Sequence, residues 1–174
     1  MKKLAFLTLA ALLVMGGNGL FAQVKATKDV TLTVNLLDWY YLSVTPNTLT
    51  FEDPTPTAVP PPATKINANE YPVAVTAFAL LLPSKKLELT LKANGTALQG
   101  TGTNTIAFDA IKWTASGGDG MVEGTLSISS VTIGSWTGWY HNHTGNLFFT
   151  FDRDYTTQAP DTYTATATYI LSVV

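Results

Sequence analysis

The chain of 174 residues contains no cysteine, and this absence excludes several classes of protein. Disulfide frameworks, thiolate zinc sites and cysteine nucleophiles all require that residue. Charged residues are also scarce, at 13% of the chain, and 10 basic against 12 acidic residues give a net charge of -2. Nucleic-acid-binding domains usually carry a basic patch, so we expect no nucleic-acid partner. Hydrophobic residues nevertheless make up 46% of the chain, which is enough to form a buried core.

Long apolar runs are absent apart from one near the N-terminus. Lys2 and Lys3 precede an apolar run of 12 residues over 4–15, which a glycine-rich stretch then ends. This layout is typical of a secretory signal peptide over 1–22, with cleavage after Ala22. The run is shorter than the roughly 20 residues that a membrane-spanning helix needs. We therefore expect a secreted or extracytoplasmic protein, at the cell surface or in the periplasm, with no transmembrane anchor in the mature chain.

Apolar and polar residues alternate through most of the predicted mature chain, 23–174. Leu87, Leu89 and Leu91 occupy every second position, and the same period continues over 30–36 and 163–171. Such alternation indicates half-buried β-strands, and no long segment has the period of an amphipathic helix. The pattern predicts an all-β domain, an antiparallel two-sheet sandwich of Ig-like or jelly-roll-like type with about 8–10 strands. A closed barrel is the alternative.

Proline is concentrated between residues 53 and 63, where five of the nine prolines lie. Proline lacks the N–H group that a sheet ladder needs, and it favours extended polyproline-II geometry. Too few residues precede this segment in the mature chain to form a separate domain. We therefore interpret 53–63 as a crossover between the two sheets of a single domain.

Both ends of the predicted mature chain have characteristic sequences. They are VTLTV at 30–34, LSVTP at 42–46, LTF at 49–51 and APDTYTATATYIL at 159–171. Together these segments resemble bacterial secreted surface β-sandwich modules of the fimbrial-subunit and WxL-like kind. Leucine does not stand two positions after Trp39 or Trp113, so the WxL tripeptide itself is absent. The resemblance implies an extracytoplasmic, non-catalytic protein of a surface or filament.

Patterns that indicate catalysis are missing from the sequence. It contains no Gly-x-Ser-x-Gly or His-Glu-x-x-His motif, and its acidic residues show no pairing that suggests glycoside hydrolysis. His141 and His143, the only histidines, are two positions apart and could begin a metal site. Such a site needs at least a third ligand, and Asp152 and Asp154 are the nearest acids that follow. We interpret the histidines as a polar hairpin end and expect no enzymatic activity, metal or cofactor.

Aromatic residues crowd into the segment 136–152. A glycine-containing turn at 144–145 would fold this segment into a β-hairpin. Alternation would then place Trp139, His141 and Phe148 on one outer face. We predict that these three side chains form a small amphipathic platform that stacks on a sugar ring or contacts a partner. The alternative is that a neighbouring loop covers them.

The alternating segment 30–36 lies close to the predicted cleavage site. Its apolar residues, which would share one face of a strand, are Val30, Leu32, Val34 and Leu36. Such a strand either pairs within its own sandwich or adds to the open edge of another copy. We therefore predict a self-associating structural subunit, similar to those of pili or filaments. The alternative is a carbohydrate-binding module that uses exposed aromatic residues. The expected partners are copies of itself, other cell-surface proteins or a polysaccharide.

Overall fold

A computed structural model of the chain describes residues 30–59, 61–117 and 119–174. The predicted signal peptide over 1–22 lies outside the described residues. Residues 38–174 form one compact unit, whereas residues 30–37 belong to a separate unit. Within the described residues, every strand lies in the compact unit.

The compact unit is built almost wholly from β-strands. In chain order these are β1 (Trp39–Thr45), β2 (Thr64–Asn67), β3 (Val73–Leu80), β4 (Lys86–Gln99), β5 (Thr105–Ile106), β6 (Ile111–Ser116), β7 (Gly124–Thr125), β8 (Val131–Thr137), β9 (Tyr140–Arg153) and β10 (Thr164–Val173). A short 3₁₀ helix, Phe108–Ala110, lies between β5 and β6. Each strand pair in the ladders is antiparallel.

The strands form two sheets. Sheet 1 has the order β1-β3-β9-β6-β7, and β2 also pairs with β9. Because β6 occupies the other side of β9, β2 and β3 lie end to end along one side of it. Sheet 2 has β4 at its centre, with β10 on one side and β8 and β5 on the other. The two sheets pack against each other without closing into a barrel, which confirms the predicted sandwich.

The core lies between the sheets and is formed by alternate residues of the central strands. Successive side chains of a strand point to opposite faces, so an alternating sequence produces one apolar face. The prediction for β4 is confirmed, since Leu87, Leu89 and Leu91 are all buried. Facing residues of sheet 1 that are also buried include Val73, Val75, Trp113, Leu147 and Phe149.

The proline-rich segment 53–63 joins β1 to β2, which both belong to sheet 1. The prediction that it crosses between the two sheets is therefore wrong. Its start is fixed to the sandwich by Asp53, whose carboxylate accepts hydrogen bonds from Arg153 Nε at 2.9 Å and from the Tyr155 hydroxyl at 2.7 Å. Arg153 is buried, so this carboxylate balances a charge that would otherwise be unpaired in the protein interior.

The predicted hairpin over 136–152 is also wrong. β8 ends at Thr137 in sheet 2, and β9 begins at Tyr140 in sheet 1, so the chain changes sheets there. Gly138 has φ 128°, a conformation that glycine adopts at little cost. The expected turn at 144–145 lies inside β9, where both residues pair with β3.

Candidate binding surfaces

The three residues of the predicted platform do not share a face. Trp139 is 61% exposed in the short connection between β8 and β9, whereas His141 is only 1% exposed and points into the core. Phe148 lies half-buried on the outer face of sheet 1, with its ring 6.0 Å from that of Tyr71. The reason is the missing turn: β9 continues without interruption, so its odd-numbered residues face inward along the whole strand.

Trp139 instead belongs to a different aromatic cluster, which we call the aromatic patch. It consists of Trp39 of β1, Phe78 of β3, Tyr140 of β9 and Trp139. Consecutive ring centroids are 4.9 Å apart for Trp39 and Phe78, 5.7 Å for Phe78 and Tyr140, and 5.9 Å for Tyr140 and Trp139. The sequence analysis did not identify Trp39, Phe78 and Tyr140 as members of a surface cluster. The run of three aromatic residues at 39–41 could have indicated it.

The two histidines form a buried pair behind this surface. His141 Nδ1 lies 3.1 Å from His143 Nε2, and His141 Nε2 lies 3.1 Å from the Gly138 carbonyl oxygen. The imidazole of His143 stacks on the indole of Trp136, with centroids 4.2 Å apart and an interplanar angle of 7°. His143 Nδ1 lies 3.2 Å from Asp119 Oδ2 but has no partner in hydrogen-bonding geometry.

A proton count explains why one nitrogen of this pair is left over. A neutral imidazole has one N–H group and one bare nitrogen. With one proton on each imidazole, the Gly138 carbonyl accepts from Nε2–H of His141, and Nδ1 of His141 accepts from Nε2–H of His143. Nδ1 of His143 is then bare and faces the Asp119 carboxylate. Burial lowers the pKa of His143, and the Asp119 carboxylate opposes this effect, so the surroundings of this imidazole favour its neutral form.

The histidine pair supplies only two nitrogen ligands for a metal ion. Structural zinc sites in proteins use four ligands, and catalytic sites use three and a water. No group of three or more histidine, cysteine, aspartate or glutamate side chains converges in the described part of the chain. His141 contacts both His143 and the Gly138 carbonyl oxygen in hydrogen-bonding geometry, so we interpret the pair as part of the core, with Nδ1 of His143 left without a partner.

A groove runs between the edges of the two sheets on one side of the sandwich. β1 is an edge strand of sheet 1, and β10 is an edge strand of sheet 2. A cavity of about 360 Å³ lies between them. Its lining contains two charged residues beside the aromatic and aliphatic ones, and consists of Asp38, Tyr40 of β1, Lys85, Leu87 of β4, and Leu171 and Val173 of β10. Leu87 is fully buried, whereas its neighbour Val173 on β10 is only half-buried. We call this feature the edge groove.

The segment 30–37 does not form the strand that its alternation predicts. All eight side chains are exposed, and Leu36 reaches 86%. A strand needs backbone partners as well as a suitable sequence, and this segment has no ladder among the described residues. Its apolar side chains, Val30, Leu32, Val34 and Leu36, are between 39% and 86% exposed.

No protein-family model, curated protein or solved structure matches this chain. The described residues include no helix with the length and apolar character required to cross a bilayer.

Proposed function

We propose that this chain is a secreted, non-catalytic structural protein of the cell surface whose copies associate by adding the segment 30–36 of one copy to the edge groove of another. The observation that supports this most directly is that an exposed alternating segment coexists with two sheet edges that have no partner strand among the described residues. The resemblance of 30–34 and 159–171 to fimbrial-subunit and WxL-like modules favours the same kind of protein.

The two edge strands have few of the features that usually prevent strand addition, and the register irregularity of β10 lies at its start, between Thr164 and Thr166. Natural sheets protect their edges with charged residues, proline or bulges, because an open edge presents unpaired N–H and C=O groups. β1 and β10 contain no charged residue and no proline. An extended segment that joins such an edge gains main-chain hydrogen bonds, and its alternate side chains determine the register.

The segment 30–36 has the length and pattern for this role. It has seven residues, as β1 does, and would extend over roughly 24 Å as a strand. With its four apolar side chains turned toward the edge groove, Thr31, Thr33 and Asn35 would face solvent. Full burial of an aliphatic side chain contributes roughly 1.5–3 kcal/mol. Four such side chains therefore offset much of the cost of association, about 4–15 kcal/mol.

Charge substitutions on the two faces of the segment test the proposal. The variant Leu32→Lys with Val34→Lys places charge on the groove-facing side, and the control Thr31→Lys with Thr33→Lys places the same charge on the other side. We expect the first variant to remain monomeric and the control to assemble, as measured by sedimentation velocity and electron microscopy. A wild-type protein that stays monomeric over a wide concentration range, or equal behaviour of both variants, would contradict the proposal.

Secretion has a separate test. Cells that produce the full chain are fractionated, and the N-terminus of the exported protein is sequenced. We expect the protein outside the cytoplasm with Gln23 as its first residue. A cytoplasmic protein that retains residues 1–22 would refute this part of the proposal.

A further inference from the structure

The outer face of sheet 1 continues from the aromatic patch into a polar region. Strand register places Trp39 opposite Leu80, and Leu80 opposite Tyr140, in the first row across β1, β3 and β9. The next row across the strands brings Asn142 beside Phe78. Rows are two residues apart, so the four rows from β1 to β9 cover roughly 20 Å along the strands and 10 Å across them.

The outward-facing side chains of these four rows include no charged residue. In β1 they are the odd-numbered residues 39–45, in β3 the even-numbered residues 74–80, and in β9 the even-numbered residues 140–146. Beyond the aromatic patch, the face presents mainly hydroxyl and amide groups, and Asn142 and Thr144 are exposed. A face that combines exposed rings with neutral hydrogen-bonding groups differs from a purely apolar surface.

The exposed rings themselves are well placed to contact a ligand. Trp39 is 56% exposed and Tyr140 is 53% exposed, while the half-buried Phe78 supports both of them from between. Aromatic side chains have an apolar face with a negative quadrupole, which attracts polarised C–H groups. Exposed aromatics on a neutral face therefore favour a ligand that has both C–H surfaces and hydroxyl groups.

The absence of charge narrows the class of ligand. Phosphate, sulfate and carboxylate groups are recognised through arginine, lysine or helix N-termini, and nucleic acids need several such contacts. None of these groups occurs in the four rows. A pyranose ring has an apolar C–H face and a rim of neutral hydroxyls, which complements rings that lie beside asparagine and threonine.

We propose that this face binds a neutral polysaccharide, with Trp39, Trp139 and Tyr140 stacking on sugar rings and Asn142 hydrogen-bonding to hydroxyl groups. The site is separate from the edge groove and does not depend on self-association. It also differs from the platform predicted from the sequence, since only Trp139 is common to both.

The experiment measures binding of the full mature chain to polysaccharides. The panel contains insoluble cellulose, and soluble β-glucan, mannan and xylan in affinity electrophoresis. Polygalacturonate and phosphatidylcholine vesicles serve as the anionic and lipid comparisons. We expect binding to at least one neutral polysaccharide, and a loss of about tenfold in affinity for Trp39→Ala and for Tyr140→Ala.

Tyr71→Ala is the matched control, because Tyr71 is 54% exposed next to β3 but lies outside the aromatic patch. Its affinity should stay within about twofold of wild type. The variant Leu32→Lys with Val34→Lys should also bind normally, which separates this site from the proposed assembly. The proposal is overturned if no neutral polysaccharide binds, if only polygalacturonate or vesicles bind, or if the patch variants bind as the wild type does.

Discussion

Replacement of Gly124 by alanine tests how closely the core is packed around Trp113. The two residues are cross-strand partners in the β6–β7 pair, and the indole lies over the glycine. A Cβ atom at position 124 would lie 2.8 Å from Cη2 and 2.9 Å from Cε2 of Trp113, well inside the ordinary contact range of 3.4–4 Å. The indole cannot easily move away, because it is buried and its N–H donates to the Val122 carbonyl oxygen at 3.1 Å.

The size of the effect follows from two opposing contributions. Overpacking of a core costs about 1–3 kcal/mol. Glycine-to-alanine replacement at a position without a left-handed backbone stabilises by about 0.4–1 kcal/mol, because the unfolded chain loses freedom. We therefore expect Gly124→Ala to lower the free energy of unfolding by about 1–2 kcal/mol. In a domain of this size that corresponds to a decrease in Tm of roughly 2–8 °C.

Urea unfolding followed by tryptophan fluorescence measures this loss. Gly102→Ala is the control, because a Cβ atom there would meet nothing within 4 Å. A second measurement places Gly124→Ala in a Trp113→Phe background, where the smaller ring leaves room and the alanine should cost less. The reasoning is refuted if Gly124→Ala is as stable as Gly102→Ala, or if its cost is the same beside Trp113 and beside phenylalanine.

Two further predictions concern the inward face of β9 and the connection before it. Burial lowers the pKa of His143 below its ordinary value of 6.5, so the unfolded chain binds more protons in acid. We expect the free energy of unfolding to fall as the pH drops below about 6.5. Urea unfolding at a series of pH values measures this decrease, which should be absent in His143→Gln. Phe149→Ala should cost about 3–5 kcal/mol as a core truncation, whereas Trp139→Ala should stay within about 0.5 kcal/mol because its side chain is exposed. Equal losses at positions 149 and 139 would show that Trp139 is held by packing rather than open to a ligand.

The strands that sequence reasoning predicted well are those with long, uninterrupted alternation. Over 87–93 every second residue is apolar, and this stretch lies in β4 with those residues buried. Side-chain direction alternates along any extended chain, so the face that must be buried can be read locally. The class of fold follows from many such segments, because half-buried strands without helices can cover their apolar faces only by packing sheet on sheet.

Which strands pair with each other could not be predicted in the same way. Gly138 and Gly145 can both occupy a turn. Which of the two does so depends on the strands that pair with β9 on its two sides. Residues 140–147 of β9 pair with β3 in one continuous ladder, so a turn at 144–145 would break that ladder. Because β9 continues as one strand, its odd-numbered residues face inward. His141 therefore lies in the core and not on the predicted outer face.

The all-β class and the inward face of β4 could be predicted from the amino-acid sequence, because both depend on residues that are neighbours along the chain. The tertiary structure alone decided which strands are adjacent, and with that the grouping of Trp39, Phe78 and Tyr140 into one patch. Among the residues that the structure describes, the segment 30–37 has no ladder, although its pattern suits a strand. The physical reason is that a strand is completed by hydrogen bonds to a distant part of the chain, or to another chain, and a local period carries no information about that partner.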